Sequence, residues 1–281
     1  MPRQKTKTSS FGTSKREGHD ATQFYTSNLY AGLRLDEKQE IIDHSNLIPG
    51  SLFNEIRPLS LEFLKEIPDN SLHLIIFDPS GTMNHQLLEQ SSNSHIEEIF
   101  EELYRALITG GRIAIIVDDW EKSEFSSNYY PLHVDIALNL IQKGFLMRGE
   151  IIWKNSELNS PSSGEIQQIG TYMPLNYKHI LIFSKQIMRR EKKSNEDTIS
   201  RDQFLQFTKS IWWHQTDLMN KVHQQADNTI NSEIFDPYNR ILQLYSFESD
   251  KILAVFAEKD MDSITAGLEI RKNQIICTFN D

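Results

Sequence analysis

The chain has 281 residues, a net charge of −10, and 38% hydrophobic and 10% aromatic residues, enough for one large domain or two small ones with a substantial core. Its longest apolar runs, such as Ile113–Val117, are strand-length and too short to span a bilayer, and with no charged-then-apolar leader at its start the chain reads as cytoplasmic. The single cysteine, Cys277, excludes an internal disulfide framework and any multi-cysteine zinc site.

Charge is unevenly spread. Arg3, Lys5, Lys7, Lys15 and Arg16 set against Glu17 and Asp20 give residues 1–20 a net +3, which leaves −13 on the remainder. Residues 1–34 read as a basic, Ser/Thr-rich, flexible arm whose five cations could touch nucleic-acid phosphates, since polyanion affinity comes largely from Lys/Arg neutralisation. Residues 35–281 read as the folded domain, and its acidic balance argues against a broad DNA-binding face on this chain alone.

The pattern becomes regular from Leu61. Leu61–Ile67 predicts a short amphipathic helix, stopped by the turn Pro68-Asp69-Asn70. Leu72–Phe77 then predicts a strand apolar enough to be buried in a parallel sheet. It runs into Asp78-Pro79-Ser80-Gly81, four residues that also suit a plain turn. Ser94 and Glu97 form a capping box ahead of Ile99, Phe100, Leu103 and Leu107 at helical spacing. Gly110-Gly111 is expected to end that helix, with a second buried strand from Arg112 to Val117. Pro131 opens another helix that Gly144 closes, followed by strands at Phe145–Trp153 and His179–Ser184. The polar runs at 186–200 and 221–234 read as excursions, and between them Ile211-Trp212-Trp213 reads as an apolar anchor. A helix at Tyr238–Tyr245, a strand at Lys251–Phe256, a helix at Met261–Leu268 and a strand at Gln274–Phe279 complete the chain. Strands alternating with helices predict an α/β sheet with crossover connections.

Five segments, in this order, resemble the beta-class N4-cytosine/N6-adenine amino DNA methyltransferases. They are Leu61–Phe77 with its Pro-Asp-Asn-Ser turn; Ile99–Asp118; Tyr130–Asn155, including Gly149-Glu150-Ile151-Ile152-Trp153; Gly170-Thr171-Tyr172 with His179–Lys185; and Pro237–Phe247. The resemblance covers about residues 55–281. It implies a Rossmann-like S-adenosylmethionine-dependent methyltransferase fold, with a mostly parallel central sheet flanked by helices and the catalytic half ahead of the cofactor half.

That resemblance also says where chemistry belongs. The family's catalytic corner reads Asp/Asn/Ser-Pro-Pro-Tyr/Phe; its first side chain accepts the target amine and its aromatic stacks on the flipped base. Asp78 and Pro79 keep the first two places, whereas Ser80 and Gly81 lack the second proline and the stacking ring, a platform worth about 1–3 kcal/mol per base. The family's glycine-rich cofactor loop corresponds to Ala254–Asp262, where Phe256 survives but Glu258 and Asp260 stand among residues that replace every glycine. Its ribose-binding acid falls at Phe279, just ahead of Asn280 and Asp281, and a further acid of the family corresponds to Leu59. Binding positions fail while scaffold positions persist.

The nine histidines are scattered, and His133, His179, His214 and His223 show no recognised metal-ligand spacing, so no metal is expected. The expected protein is therefore a catalytically silent methyltransferase homologue without S-adenosylmethionine. It would be the partner of an active methyltransferase paralogue in a hetero-oligomer that binds DNA, the setting of a restriction-modification heterodimer. The alternatives are a divergent active enzyme that uses Asp78 and S-adenosylmethionine on cytosine N4 or adenine N6, and a stand-alone DNA-binding regulator.

Overall fold

Alternating apolar strands and amphipathic helices assemble into one eight-stranded sheet with helices on both faces. The computed structural model describes residues 48–53, 56–78, 93–123, 126–154, 176–187, 199–213, 236–247, 250–257 and 274–279. In chain order the elements are β1 (Ile56–Pro58), α1 (Leu61–Glu66), β2 (Leu72–Phe77), α2 (Asn93–Ala106), β3 (Leu107–Val117), β4 (Trp120–Ser123), β5 (Ser126–Tyr130) and α3 (Leu132–Gln142). They continue with β6 (Phe145–Lys154), β7 (Tyr177–Lys185), α4 (Arg201–Phe207), β8 (Ile211–Trp213), α5 (Pro237–Tyr245), β9 (Ile252–Ala257) and β10 (Gln274–Phe279). The sheet order is β1-β10-β9-β2-β3-β7-β6-β8, and β4 with β5 forms a separate hairpin. Within the large sheet only β7 runs antiparallel to its neighbours, β3 and β6; the other pairs are parallel.

A strand in the middle of such a sheet is covered on both faces, and all six residues of β2 are buried. Alternate residues supply two cores. Ile75, Phe77, Ile113, Ile115, Leu181 and Phe183 pack under α1, α2 and α3. Leu74, Ile76, Ala114, Ile180, Ile182 and Phe256 pack under α5, which contributes Tyr238, Ile241 and Leu242. Trp212, in the expected apolar anchor, is 1% exposed in this second core and donates its indole N–H to the Phe207 carbonyl at 3.0 Å.

The turn at Pro68-Asp69-Asn70 forms as expected, with Asn70 in the left-handed region at φ 49°. It is held from across the sheet: Lys185 Nζ donates to Asn70 Oδ1 at 2.7 Å and to the Leu107 carbonyl at 2.8 Å. Burial pushes that ammonium down to about 8.

The Gly110-Gly111 expectation needs correction. Helix α2 stops at Ala106, and β3 begins at Leu107 with both glycines inside it. The pairing of β3 with β2 jumps from Leu72↔Leu107 to Leu74↔Arg112, so the extra residues of β3 must bulge, and Gly110 takes φ 76° to do so. Helix α4, strand β8 and the β4–β5 hairpin have no counterpart among the expected elements. The residues 1–34, the segments 188–198 and 221–234, and the helix expected at Met261–Leu268 lie outside the described residues. Among the described residues no helix is long and apolar enough to cross a membrane.

The bulge sets a packing test. A Cβ on Gly111 would meet Leu107 Cγ at 2.8 Å and the Ile108 carbonyl oxygen at 2.9 Å, whereas one on Gly149 meets nothing within 4 Å among the described residues. Gly111→Ala is expected to lower the unfolding free energy by about 1–3 kcal/mol, while Gly149→Ala changes it by less than about 1 kcal/mol. Urea denaturation of the two variants checks this.

Candidate functional site

The carboxyl ends of parallel strands are where α/β sheets expose polar groups to ligands, and two side-chain constellations gather there. The first surrounds Asp78. Two residues beyond Ile76, it points to the α5 face, and its amide donates to the Val255 carbonyl at 2.9 Å, tying the end of β2 to β9. The side chain is 1% exposed, and one carboxylate oxygen accepts the hydroxyl proton of Tyr238.

Tyr238 is placed by the start of α5. Asp236 is the N-cap, accepting from the Tyr238 amide at 3.1 Å, and Pro237 fixes the first turn. The phenol ring stands edge-on to Phe256, with centroids 5.5 Å apart at 88°, and to Trp153 at 6.4 Å and 72°. Phe256, which the sequence resemblance matches to the family's cofactor loop, is a core residue that walls this phenol. Leu59, where the family has an acid, packs half-buried against the other core.

The second constellation lies on the opposite face, one strand over. Asp118 and Asp119 follow β3, and His133 sits in the first turn of α3. His179 on β7 pairs with Val117 across the antiparallel ladder, with Glu150 on β6 beyond it. Asp119 Oδ1 accepts from the His133 amide at 3.1 Å and lies 2.6 Å from His133 Nδ1. His179 is 6% exposed; its Nδ1 lies 2.5 Å from Glu150 Oε1, and its Nε2 lies 3.5 Å from Asp119 Oδ2. The two imidazole rings stack at 3.7 Å and 5°. Lys178 Nζ pairs with Asp118 at 3.2 Å.

Burial works to lower the His179 imidazolium, but the carboxylates of Asp119 and Glu150 outweigh it and hold it above its ordinary 6.5. Asp119 mirrors this: burial pushes its carboxyl up, and the two histidines hold it below the usual carboxylate value.

Sequence spacing does not reveal this grouping. His133 and His179 are 46 positions apart and each stands alone in the sequence; the antiparallel pairing of β7 with β3 brings them together. Among the other expected site residues, Pro79, Ser80, Gly81, Glu258, Asp260 and the basic residues Arg3, Lys5, Lys7, Lys15 and Arg16 lie outside the described residues. So do His214, His223, Asn280 and Asp281.

A mostly parallel α/β sheet with polar side chains at its strand ends, in this strand order, is the Rossmann-like methyltransferase fold. The chain is similar in structure to a protein from Thermus thermophilus assigned as a DNA modification methylase, in complex with S-adenosyl-L-methionine. The TM-score is 0.59 and the identity 20%, over 80% of this chain and 86% of that one. It is also similar to the PvuII DNA methyltransferase, which is cytosine-N4-specific, at a TM-score of 0.54 and 11% identity over 81% and 85% of the two chains. At these identities the shared property is the fold. No protein-family model and no curated protein matches the chain.

Asp236 makes the α5 cap sensitive to pH. Burial raises its carboxyl from 3.8 to about 6, against the hydrogen bonds of the Tyr238 and Asn239 amides and the charge of Arg240. The folded chain therefore binds this proton more tightly than the unfolded chain. The stability it contributes is full below about pH 4 and is lost as pH rises through 6. In Asp236→Asn, which keeps a capping side chain, the fall in unfolding free energy between pH 4 and pH 7 should be smaller by up to about 3 kcal/mol. Chemical denaturation of both proteins at several pH values measures the difference.

Proposed function

We propose that this chain is a catalytically silent methyltransferase-fold subunit that pairs with an active DNA methyltransferase paralogue and helps hold DNA or stabilise that partner. The observation that carries the reading is the burial of Asp78 behind Tyr238. A carboxylate that is to accept a substrate amine must face the space the base enters; this one is 1% exposed and already hydrogen-bonded to a phenol. Several replacements in the sequence point the same way. Ser80 and Gly81 offer no ring for a flipped base, Glu258 and Asp260 replace the glycines of a cofactor loop, and no acid stands at Leu59 or Phe279. The chain's own role would then be carried by its preserved scaffold, as a surface for the partner. The cations Arg3, Lys5, Lys7, Lys15 and Arg16 would supply phosphate contacts that the acidic body lacks.

Calorimetric titration of S-adenosylmethionine into the full chain is expected to give no saturable heat. Saturable binding would instead support a divergent active enzyme that methylates cytosine N4 or adenine N6 with Asp78 as amine acceptor. Co-expressed with a paralogue that carries an intact Asp-Pro-Pro-Tyr corner, the chain is expected to co-purify as a hetero-oligomer. Replacing the five cations by alanine should leave that complex assembled, lower its DNA affinity at least ~10-fold at low salt and flatten its salt dependence. Tight DNA binding by this chain alone, with no co-purification, would favour a stand-alone DNA-binding regulator and overturn the subunit reading.

A further inference from the structure

The Asp119–His133–His179 constellation belongs to none of the chemistry above. It lies on the α3 face of the sheet, whereas Asp78 and Tyr238 lie on the α5 face. We propose that Asp119, His133 and His179 form a binding site for a divalent transition-metal cation of the zinc class, with Glu150 orienting His179.

Three observations support it. The first is the donor set. One ligand atom from each of the three side chains lies within 4.8 Å of the other two. Two imidazole nitrogens and a carboxylate oxygen suit Zn2+ and its neighbours in the transition series, whereas Mg2+ and Ca2+ take oxygen ligands.

The second is the state of His179. Its Nδ1 is engaged by the Glu150 carboxylate at 2.5 Å, so a ring that gives up its Nε2 proton to a cation keeps its N–H on Nδ1 and turns the Nε2 lone pair toward Asp119. A metal-bound histidine commonly gives its second ring N–H to a carboxylate in this way. Among the described residues Nε2 itself is buried with no hydrogen-bond partner. Nε2 faces Asp119 Oδ2 at 3.5 Å, and a divalent cation can take the place of the proton that otherwise lies between the two atoms.

The third is spacing. Tetrahedral ligands at about 2.0–2.1 Å from zinc stand roughly 3.4 Å apart. The Nε2 to Oδ2 separation of 3.5 Å already matches this. His133 Nδ1 lies 2.6 Å from the other oxygen, Oδ1, and its ring stacks on that of His179, so His133 must turn out of the stack to reach the same cation, a movement within reach of its half-buried side chain. Three protein ligands leave the fourth position to water or to another side chain. A metal held there would join the corner after β3, the first turn of α3 and the start of β7, three segments that no local sequence connects.

The test is calorimetric titration of ZnCl2 into the full chain after chelator treatment and dialysis, with MgCl2 as the comparison and CoCl2 as the optical probe. Saturable binding of one Zn2+ per chain is expected, with no Mg2+ binding and with visible bands on cobalt binding. His133→Gln and His179→Ala should each weaken Zn2+ binding at least ~100-fold and abolish the cobalt bands. Glu150→Gln should weaken it by roughly 10–100-fold while leaving the stoichiometry at one. His133 is half-buried on a helix surface, so its variant keeps the test informative even if His179→Ala does not fold. Absence of saturable Zn2+ binding by a chain with native circular dichroism overturns the proposal. So does Zn2+ binding that His133→Gln leaves unchanged, because the metal would then lie elsewhere.

Discussion

An ionisable group at the end of a strand covered on both faces must find its partners inside the protein, and Asp78 is such a group. A carboxylate buried without donors costs several kcal/mol, so position 78 can keep its acid only if the surrounding elements bring hydrogen bonds to it. The Tyr238 hydroxyl does this from the start of α5, and the Asp78 amide anchors β2 to β9 through the Val255 carbonyl. These contacts join three elements whose sequence positions span 78 to 255. The edge-on packing of Tyr238 against Phe256 and Trp153 is held at that junction.

The same junction explains how a binding fold can keep its frame while its site closes. The frame is set by apolar side chains in two layers, which tolerate any residue of suitable volume. A substrate site needs the opposite: polar groups left accessible, glycines where a ligand approaches the backbone, and a ring held free for stacking. Here a phenol covers the acid, Phe256 walls the phenol, and Leu59 has joined the packing of the other core. On the proposed reading each of these residues adds buried contact to the frame where an active enzyme would keep an open site.

What the sequence makes legible follows from how local each determinant is. The strands Leu72–Phe77 and Gln274–Phe279 can be read to the residue, because a continuous apolar run between polar turns has few other solutions in an α/β chain. The helices at Pro237–Tyr245 and Leu132–Gln142 show in their spacing and their prolines. Gly110-Gly111 misleads because a glycine pair ends a helix and builds a β-bulge equally well, and only the register with β2 separates the two. Helix α4 carries a visible signal that its polar surroundings hide: Ser200 and Gln203 form a capping box at the end of a polar run. Strand β8 is three residues long, and its place beside β6 depends on partners distant in sequence. Asp78 stands out from its motif, but its hydrogen bond to Tyr238 spans 160 positions and no local pattern encodes it.

Asp78 and Asp119 thus end neighbouring strands of one sheet, on opposite faces, and solve the problem of a buried acid in chemically different ways. Tyr238 gives Asp78 a hydroxyl donor from the start of α5. Asp119 is instead met by two imidazoles, His133 and His179, and holds the His179 imidazolium above its ordinary value. The methyltransferase resemblance directs attention to the first acid, whose carboxylate is buried against a phenol. The imidazoles stand behind the second, where the antiparallel strand β7 delivers His179 to the end of β3.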